Sequence, residues 1–393
     1  MDILYLTLKN PNLNESGIYP DLINALTKAG HKVTIAFADS PKNTPHTEII
    51  TEYGVRIMKV TTGEMFGVNF IKKGINTLRL EPKLKNAIRT HLKGEHFDLV
   101  LYATPPVTFA NVVKYCKKAY GCRSFLMLKD IFPQNAVDIG LFKENSLIHR
   151  FFRNKEKKLY ELSDVIGCMS QGNVDYLKKH NPQIPDDKVI IFPNTIKVDD
   201  IIKVNSSEIK DRKLRLVFGG NLGKPQAIDY LLEVVKYDKS PVYDRVEFLF
   251  VGNGSERELV RKTCEGRDNA TFIDFMPPDE YNELMESCDV GIVSLDSRFT
   301  IPNYPSRMLG YMDMEKPMLA CTDRNTDVKE LLTEQANCGL WCASDDVEAF
   351  WACVEILMDD DIRRMLGVNG RKYLKEHFNV GNSVRILEDT MNK

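Results

Sequence analysis

Short apolar runs rich in β-branched residues alternate, along the whole chain, with segments whose apolar positions recur every three to four residues. In the first half ILYLTL, HKVTIAFA, VRIMKVTT, DLVLYAT, RSFLMLKD, VIGCMS and KVIIFPN predict strands, and LINALTKAG, LKNAIRTHL, FANVVKYCKKAY and NVDYLKKH carry helical spacing between them. Runs that are apolar throughout, rather than strictly alternating, suit strands covered on both faces of a parallel sheet. The pattern restarts with LRLVFGGNLG, VEFLFVGNG, TFIDFM, VGIVSL, KPMLACT and GLWCA, again separated by helical segments. Strand and helix in turn define an α/β protein with a doubly wound parallel sheet in each half. A polar, lysine-rich stretch from about 197 to 213, containing Asn205-Ser206-Ser207, interrupts the pattern and predicts a linker. From about 359 onward the chain is helical and charged.

Composition narrows the class. A chain of 393 residues is long for one core and suits two domains. Hydrophobic content of 43% and charged content of 27% exclude disordered and collagen-like classes. No run approaches the roughly 18 apolar residues of a membrane span, and MDILYLTL enters a strand without the basic segment of a secretory signal, so a cytoplasmic protein is expected. The nine cysteines form no CxxC pair, and Cys338 and Cys342 lack a second pair, which points to buried thiols rather than disulfides or zinc. The net charge of −2 conceals an asymmetry: through Asp200 the chain carries 28 Lys and Arg against 21 Asp and Glu, and beyond it 25 against 34. The densest basic patch, Arg150 to Lys158, interleaves Phe151 and Phe152 with cations. Two readings stand: a segment lying on an anionic membrane surface, or a solvated helix face over two core phenylalanines. No nucleic-acid motif accompanies the charge, so nucleic acid is not an expected partner.

Candidate chemistry concentrates at strand ends. In 289–320 a buried strand, Val290 to Leu295, leads into a loop punctuated by Pro302 and Pro305, and a helix opens at Pro305 or Ser306 with Arg307 in its first turn. Free amides, the helix dipole and a forked guanidinium together make an anion site; the plain alternative is a capped helix with a surface arginine. Phe218-Gly219-Gly220-Asn221-Leu222-Gly223-Lys224 follows a strand directly, so its glycines permit close backbone approach and Lys224 can reach a phosphate. Gly252 and Gly254 read as a tight turn after a strand. Gly17, after the first strand, either admits a ligand to the backbone or caps the next helix. Lys129 and Asp130 end an apolar strand, where a carboxylate can meet an acceptor hydroxyl or cap a loop. His31 reads as packing after a glycine helix stop. No nucleophile–histidine–acid triad and no histidine pair with metal spacing is discernible.

These pieces, in order, resemble the GT-B nucleotide-sugar glycosyltransferases, and more closely the retaining glycosyltransferase family 4 branch of bacterial surface polysaccharide synthesis. The resemblance rests on SGIYPDLINALTKAGHKVTI, LMLKDIFPQNAVDIG, VFGGNLGKPQAIDYLLEVV, FLFVGNGSER, FMPPDEYNELMESCDVGIVSL and IPNYPSRMLGYMDMEKPMLA, and covers almost the whole chain. It implies two Rossmann-like domains facing across a cleft: an acceptor domain over 1–200, a nucleotide-sugar donor domain over 201–370, and a C-terminal helix over 371–393 returning to the first. The implied donor is a UDP-sugar, carrying a hexose or an N-acetylated amino sugar, and the implied acceptor is lipid-linked or a glycan. No metal or other cofactor is implied, because amides and cations neutralise the leaving diphosphate. Gly17, Gly220, Asn221, Gly223, Lys224, Pro305, Ser306 and Arg307 would hold the donor. Lys129, Asp130, Lys224 and Arg307 would serve catalysis.

The sequence departs from the common family pattern at four places. Asn221 and Gln226 stand where the family has arginine and lysine, and Pro302 and Gly310 stand where it has two glutamates. Asn221-Leu222-Gly223 and Pro305-Ser306-Arg307 instead match signatures of the branch resembling amino-sugar transferases of capsule and O-antigen synthesis. Two other classes are compatible with the same fold: a UDP-sugar epimerase and a non-catalytic nucleotide-sugar-binding subunit.

Overall fold

The computed structural model describes residues 1–63, 70–199 and 212–392, so most of the expected linker lies outside the described residues. The chain divides into two compact units, Met1–Lys197 with Val380–Lys393, and Val198–Asn379.

The first unit is built on an eight-stranded sheet. Its strands are β1 (Asp2–Thr7), β2 (Lys32–Asp39), β3 (Glu48–Glu52), β4 (Val55–Thr61), β5 (Leu99–Ala103), β6 (Arg123–Leu128), β7 (Val165–Cys168) and β8 (Val189–Ile191), in the spatial order β3-β4-β2-β1-β5-β6-β7-β8. Every neighbouring pair is parallel except β3 with β4. β3, which the apolar runs do not predict, is an edge strand with sequence EIITE and no buried residue. Tyr53 and Gly54 both take positive φ, 51° and 76°, the conformation that a tight two-residue hairpin requires, and Glu52 pairs directly with Val55.

In the second unit β9 (Leu214–Asn221), β10 (Val246–Asn253), β11 (Ala270–Ile273), β12 (Val290–Ser294), β13 (Met318–Thr322) and β14 (Gly339–Ala343) form a parallel sheet in the order β11-β10-β9-β12-β13-β14. Buried apolar side chains of β9, β10 and β12 meet Phe350, Trp351, Val354 and Leu357 of the Val347–Leu357 helix.

Both sheets reverse their winding beside one strand: β1 lies between β2 and β5, and β9 between β10 and β12. Loops leaving such neighbours diverge to opposite faces and open a crevice at the carboxyl ends, where α/β sheets take ligands. Gly17 and Thr104 follow β1 and β5. The 219–224 and 295–307 segments follow β9 and β12.

The C-terminal return falls later than residue 371. The Asp360–His377 helix stays with the second unit: Arg371 binds the backbone carbonyl and carboxylate of Asp313, and a Cβ on Gly367 would collide with the Glu315 carbonyl. The return is the Val380–Met391 helix. Its Ser383 hydroxyl pairs with Thr195 at 2.8 Å, Glu388 accepts from His31 Nε2 at 2.9 Å, and Arg123 donates to the Thr390 and Met391 carbonyls. Leu387 is fully buried in the first unit's core.

Candidate functional site

In the second unit, the 219–224 loop and Arg307 meet. Gly220 has φ +118°, which a side chain would strain, and the position of its missing Cβ lies 3.7 Å from Arg307 Nη2. The guanidinium stacks over Phe218 with Cζ 4.2 Å from the ring centroid. Its Nη1 is buried and has no hydrogen-bond partner. Burial draws the Arg307 pKa below its ordinary value, partly offset by Tyr311 and Tyr281 nearby. A cation held rigidly with an unmade hydrogen bond costs free energy that an incoming anion recovers, since buried unsatisfied groups cost about 1–3 kcal/mol and more when charged.

The helix after Ser306 is less of a contributor than its sequence implies. It spans only Arg307–Asp313, the Ser306 hydroxyl caps no amide, and Ser306 itself is exposed. So short a helix offers a weak dipole, and the positive charge here is Arg307's own. The loop before it is fastened from the segment after β13: Asn325 Nδ2 donates to the Phe299 carbonyl at 2.6 Å and Thr326 Oγ1 to that of Asn303 at 2.6 Å. Asp323 in turn accepts from the Asn325 and Thr326 amides at 2.8 and 2.9 Å.

Asn221 is exposed and its Nδ2 donates to Gln226 Oε1 at 2.9 Å, so two of the positions that depart from the family pattern fix each other. A Cβ on Gly223 would press on Asn221 Nδ2 at 2.8 Å. Lys224 is exposed in a single turn over Lys224–Gln226. Gly252 and Gly254 serve more than a turn: a Cβ on either would strike the backbone of Gly220 or Leu222, so the loops after β9 and β10 pack main chain to main chain. Leu222 donates to the Asn253 carbonyl and Glu256 to that of Leu222, both at 2.9 Å. At the two departures around the helix, Pro302 is buried and Gly310 faces open space, so neither place presents a carboxylate.

In the first unit, Lys129 and Asp130 do not act as a pair. Lys129 Nζ reaches the Phe192 carbonyl at 3.5 Å and lies 5.3 Å from that ring's centroid, and burial draws its pKa down to about 7. Asp130, whose pKa burial pushes up to about 6, lies instead near Tyr19, whose own pKa is pushed up to about 12 by burial and then by the Asp130 charge. Thr104 Oγ1 donates to the Asp130 carbonyl at 3.1 Å and accepts from the Lys129 and Asp130 amides, fixing this corner.

Among the described residues of this unit, four buried polar atoms have no hydrogen-bond partner: Tyr5 Oη, Thr108 Oγ1, Asn135 Oδ1 and Asn194 Oδ1. Sequence reasoning passed over all four and Tyr19 as well. Asn194, in the last residues of the predicted strand KVIIFPN, and Tyr19, two residues past Gly17, carried positional signals. Tyr5 carried none, because its place inside an apolar strand looks like core. Gly17 has extended backbone with φ 160°, and a Cβ there would meet only the Pro20 ring, at 3.7 Å. Its carbonyl accepts from Asp21, which opens the next helix. Among the described residues no group of three or more His, Cys, Asp or Glu is placed to hold a metal ion. All nine cysteines are unpaired, eight of them buried.

Both units match family models in chain order: Glycosyltransferase Family 4 over residues 21–200 and Glycosyl transferases group 1 over residues 213–360. The chain is a glycosyltransferase of GT-B type. In sequence it is similar to the probable glycosyltransferase WbjE of Pseudomonas aeruginosa, 25% identical over 303 residues, 74% of each chain. Among solved structures it shares the fold of sucrose-phosphate synthase from Thermosynechococcus elongatus, with TM-score 0.75 and 15% identity over 99% of this chain and 97% of that one. Anabaena HepE, solved with UDP, has TM-score 0.69 and 14% identity, with both chains fully covered.

Proposed function

We propose that the protein transfers a hexose or N-acetylated amino sugar from a UDP-sugar to a lipid-linked or glycan acceptor, with retention, in assembly of a surface polysaccharide such as a capsule. The work is done at the cytoplasmic face of a membrane and without a metal or other cofactor. The carrying observation is the buried, unpartnered Arg307 Nη1 beside Gly220 at the sheet reversal of the second unit. The UDP held by the structural relative HepE supports the choice of nucleotide.

In this reading the sugar C1–O bond to the diphosphate breaks and its electron pair stays on the phosphate oxygen, where Arg307, Lys224 and the Gly223 amide offset the charge. The acceptor oxygen bonds C1 on the same face and its proton passes to the departing phosphate, so no protein nucleophile is needed. Asp130 lines the acceptor side, where it accepts a hydrogen bond from a neighbouring hydroxyl of the acceptor and so orients the attacking one.

Arg307→Ala is expected to lower turnover by about a hundredfold, as removal of one donor to developing charge does elsewhere. Undiminished turnover removes Arg307 from the mechanism. Conversion of the UDP-sugar with no acceptor present replaces transfer by epimerisation.

A further inference from the structure

The basic segment around residue 150 is neither a plain solvated face nor a cover for two core phenylalanines. It belongs to the Leu147–Leu162 helix. Phe152 packs inward, 4.9 Å from the Phe132 ring centroid, and Phe142 joins it at 6.2 Å from Phe132. The first two turns point the other way: Leu147 is 84% exposed, Ile148 55% and Phe151 38%. Leu141, 63% exposed, belongs to the turn whose next residue, Phe142, lies against His149 of the helix with ring centroids 6.5 Å apart. Four large apolar side chains thus share one end of the helix and its preceding turn, where singly scattered ones are the ordinary case.

Cations surround this ridge. Arg153 is taken by Glu156, and Lys155 by the buried Glu81 at 3.2 Å. Lys143, Arg150 and Lys157 are exposed and form no ion pair among the described residues, although the Lys157 charge acts on the adjacent Glu156. Lys158 is exposed and donates to Asn111 of the Ala110–Tyr120 helix, which adds the exposed Lys114 and Lys118 to the same side. Against these the two segments expose only Glu144 and Glu161 as acids. Apolar side chains at one end of a helix with unpaired cations along it match a lipid headgroup region: the apolar groups enter the acyl boundary and the cations meet anionic headgroups. A protein partner of similar hydrophobicity gives no reason for unpaired cations of one sign.

We infer that the first half of the Leu147–Leu162 helix, with the Leu141 turn, is a docking surface for an anionic lipid membrane. It also sets the orientation of the first unit. Phe132, whose ring packs beneath the ridge, is two residues from Asp130, so the acceptor corner is carried to the lipid surface on the same short segment. This placement rests on the lipid-linked acceptor reading given above; the docking itself does not.

The test is flotation of the purified full chain with vesicles of phosphatidylcholine alone and of equimolar phosphatidylcholine and phosphatidylglycerol, at low and high salt. Wild type is expected to float only with the anionic vesicles, and less at high salt. Removing both charges in Arg150→Gln/Lys157→Gln weakens binding by about 25-fold at low salt, at roughly fivefold per charge. Leu147→Ser/Ile148→Ser, at positions open to solvent, abolishes the binding that survives at high salt. Thermal melts and transfer to a water-soluble, short-chain acceptor should match wild type for both variants.

Equal binding to both vesicle types, or wild-type behaviour of either variant, overturns the inference. So does a wild-type dimer that Leu147→Ser/Ile148→Ser dissociates without any vesicle binding, which assigns the ridge to a second copy of the chain. Vesicle binding with no transfer to any acceptor leaves docking intact and removes the functional reading; transfer without vesicle binding does the reverse.

Discussion

The residues that define the site are those whose hydrogen bonds remain unmade. Arg307 was visible in the sequence as a cation after a proline-punctuated loop, but nothing in that pattern shows that one of its nitrogens is buried without a partner. Asp130 is marked by burial instead. Its pKa is pushed up from 3.8 to about 6 by burial, so folding favours its protonated form. The carboxyl therefore contributes stability fully below pH 3.8, and that contribution is lost as pH rises through about 6. Asp130→Asn should accordingly melt higher than wild type at pH 8, with the advantage gone by pH 3.8. In activity the expected sign is opposite: wild-type transfer falls as pH drops through about 6, and the asparagine variant is slow throughout, without that limb. Melting curves and a pH–rate profile of the two proteins check both statements, and a retained acidic limb in the variant would assign it to another group.

Among elements, those with strong apolar pattern were legible and those set by pairing were not. All thirteen runs read as strands are strands, because each is apolar enough to be buried wherever its neighbours lie. β3 was missed: EIITE is polar and becomes a strand only because the Tyr53-Gly54 turn folds it back on β4. The helix expected to bind an anion was overestimated, since its seven residues follow Pro305 closely and leave little dipole. The returning helix was placed too early, because the charged periodicity of 360–377 and 380–391 looks continuous while only the second helix reaches the first unit's core. Leu387, fully buried there, makes that attachment measurable. Leu387→Ala should cost about 2–5 kcal/mol, as large-to-small changes in cores do. Denaturant unfolding reports it, and a change below about 0.5 kcal/mol, the range of ordinary surface substitutions, would show that the helix is not part of the core.

For the whole molecule, sheet topology locates the chemistry in each unit. Both units reverse their winding next to one strand; in the second the glycine loop and Arg307 follow that strand and its neighbour, while in the first Gly17 follows the reversal strand and Lys129 and Asp130 follow β6, one strand beyond its neighbour β5. Division of labour follows: the second unit holds the buried cation and the glycine loop, the first the Lys129–Asp130 corner. UDP alone is therefore expected to slow amide hydrogen exchange at residues 219–224 and 307–313 and to leave the first unit's 104–108 and 129–135 segments unchanged. At a hundred times its Kd the nucleotide adds about 2.7 kcal/mol to the stability of the state it binds. Protection confined to the first unit would reverse the assignment of donor and acceptor.

By itself the sequence determined the α/β class, the two halves, nearly every strand and the loops that carry glycine and Arg307, because apolar periodicity and glycine or proline punctuation act locally. It also carried, as a pattern, the charge asymmetry and the resemblance to GT-B glycosyltransferases. Tertiary structure alone decided which polar atoms are left unpaired, that Gly220 and Gly252 are needed where two loops touch main chain to main chain, that Lys129 and Asp130 turn to different neighbours, and that Leu147, Ile148 and Phe151 lie outside the core. Each of these depends on residues far apart in the chain arriving at one place. Burial and hydrogen bonding are properties of that arrangement, and no single segment contains them.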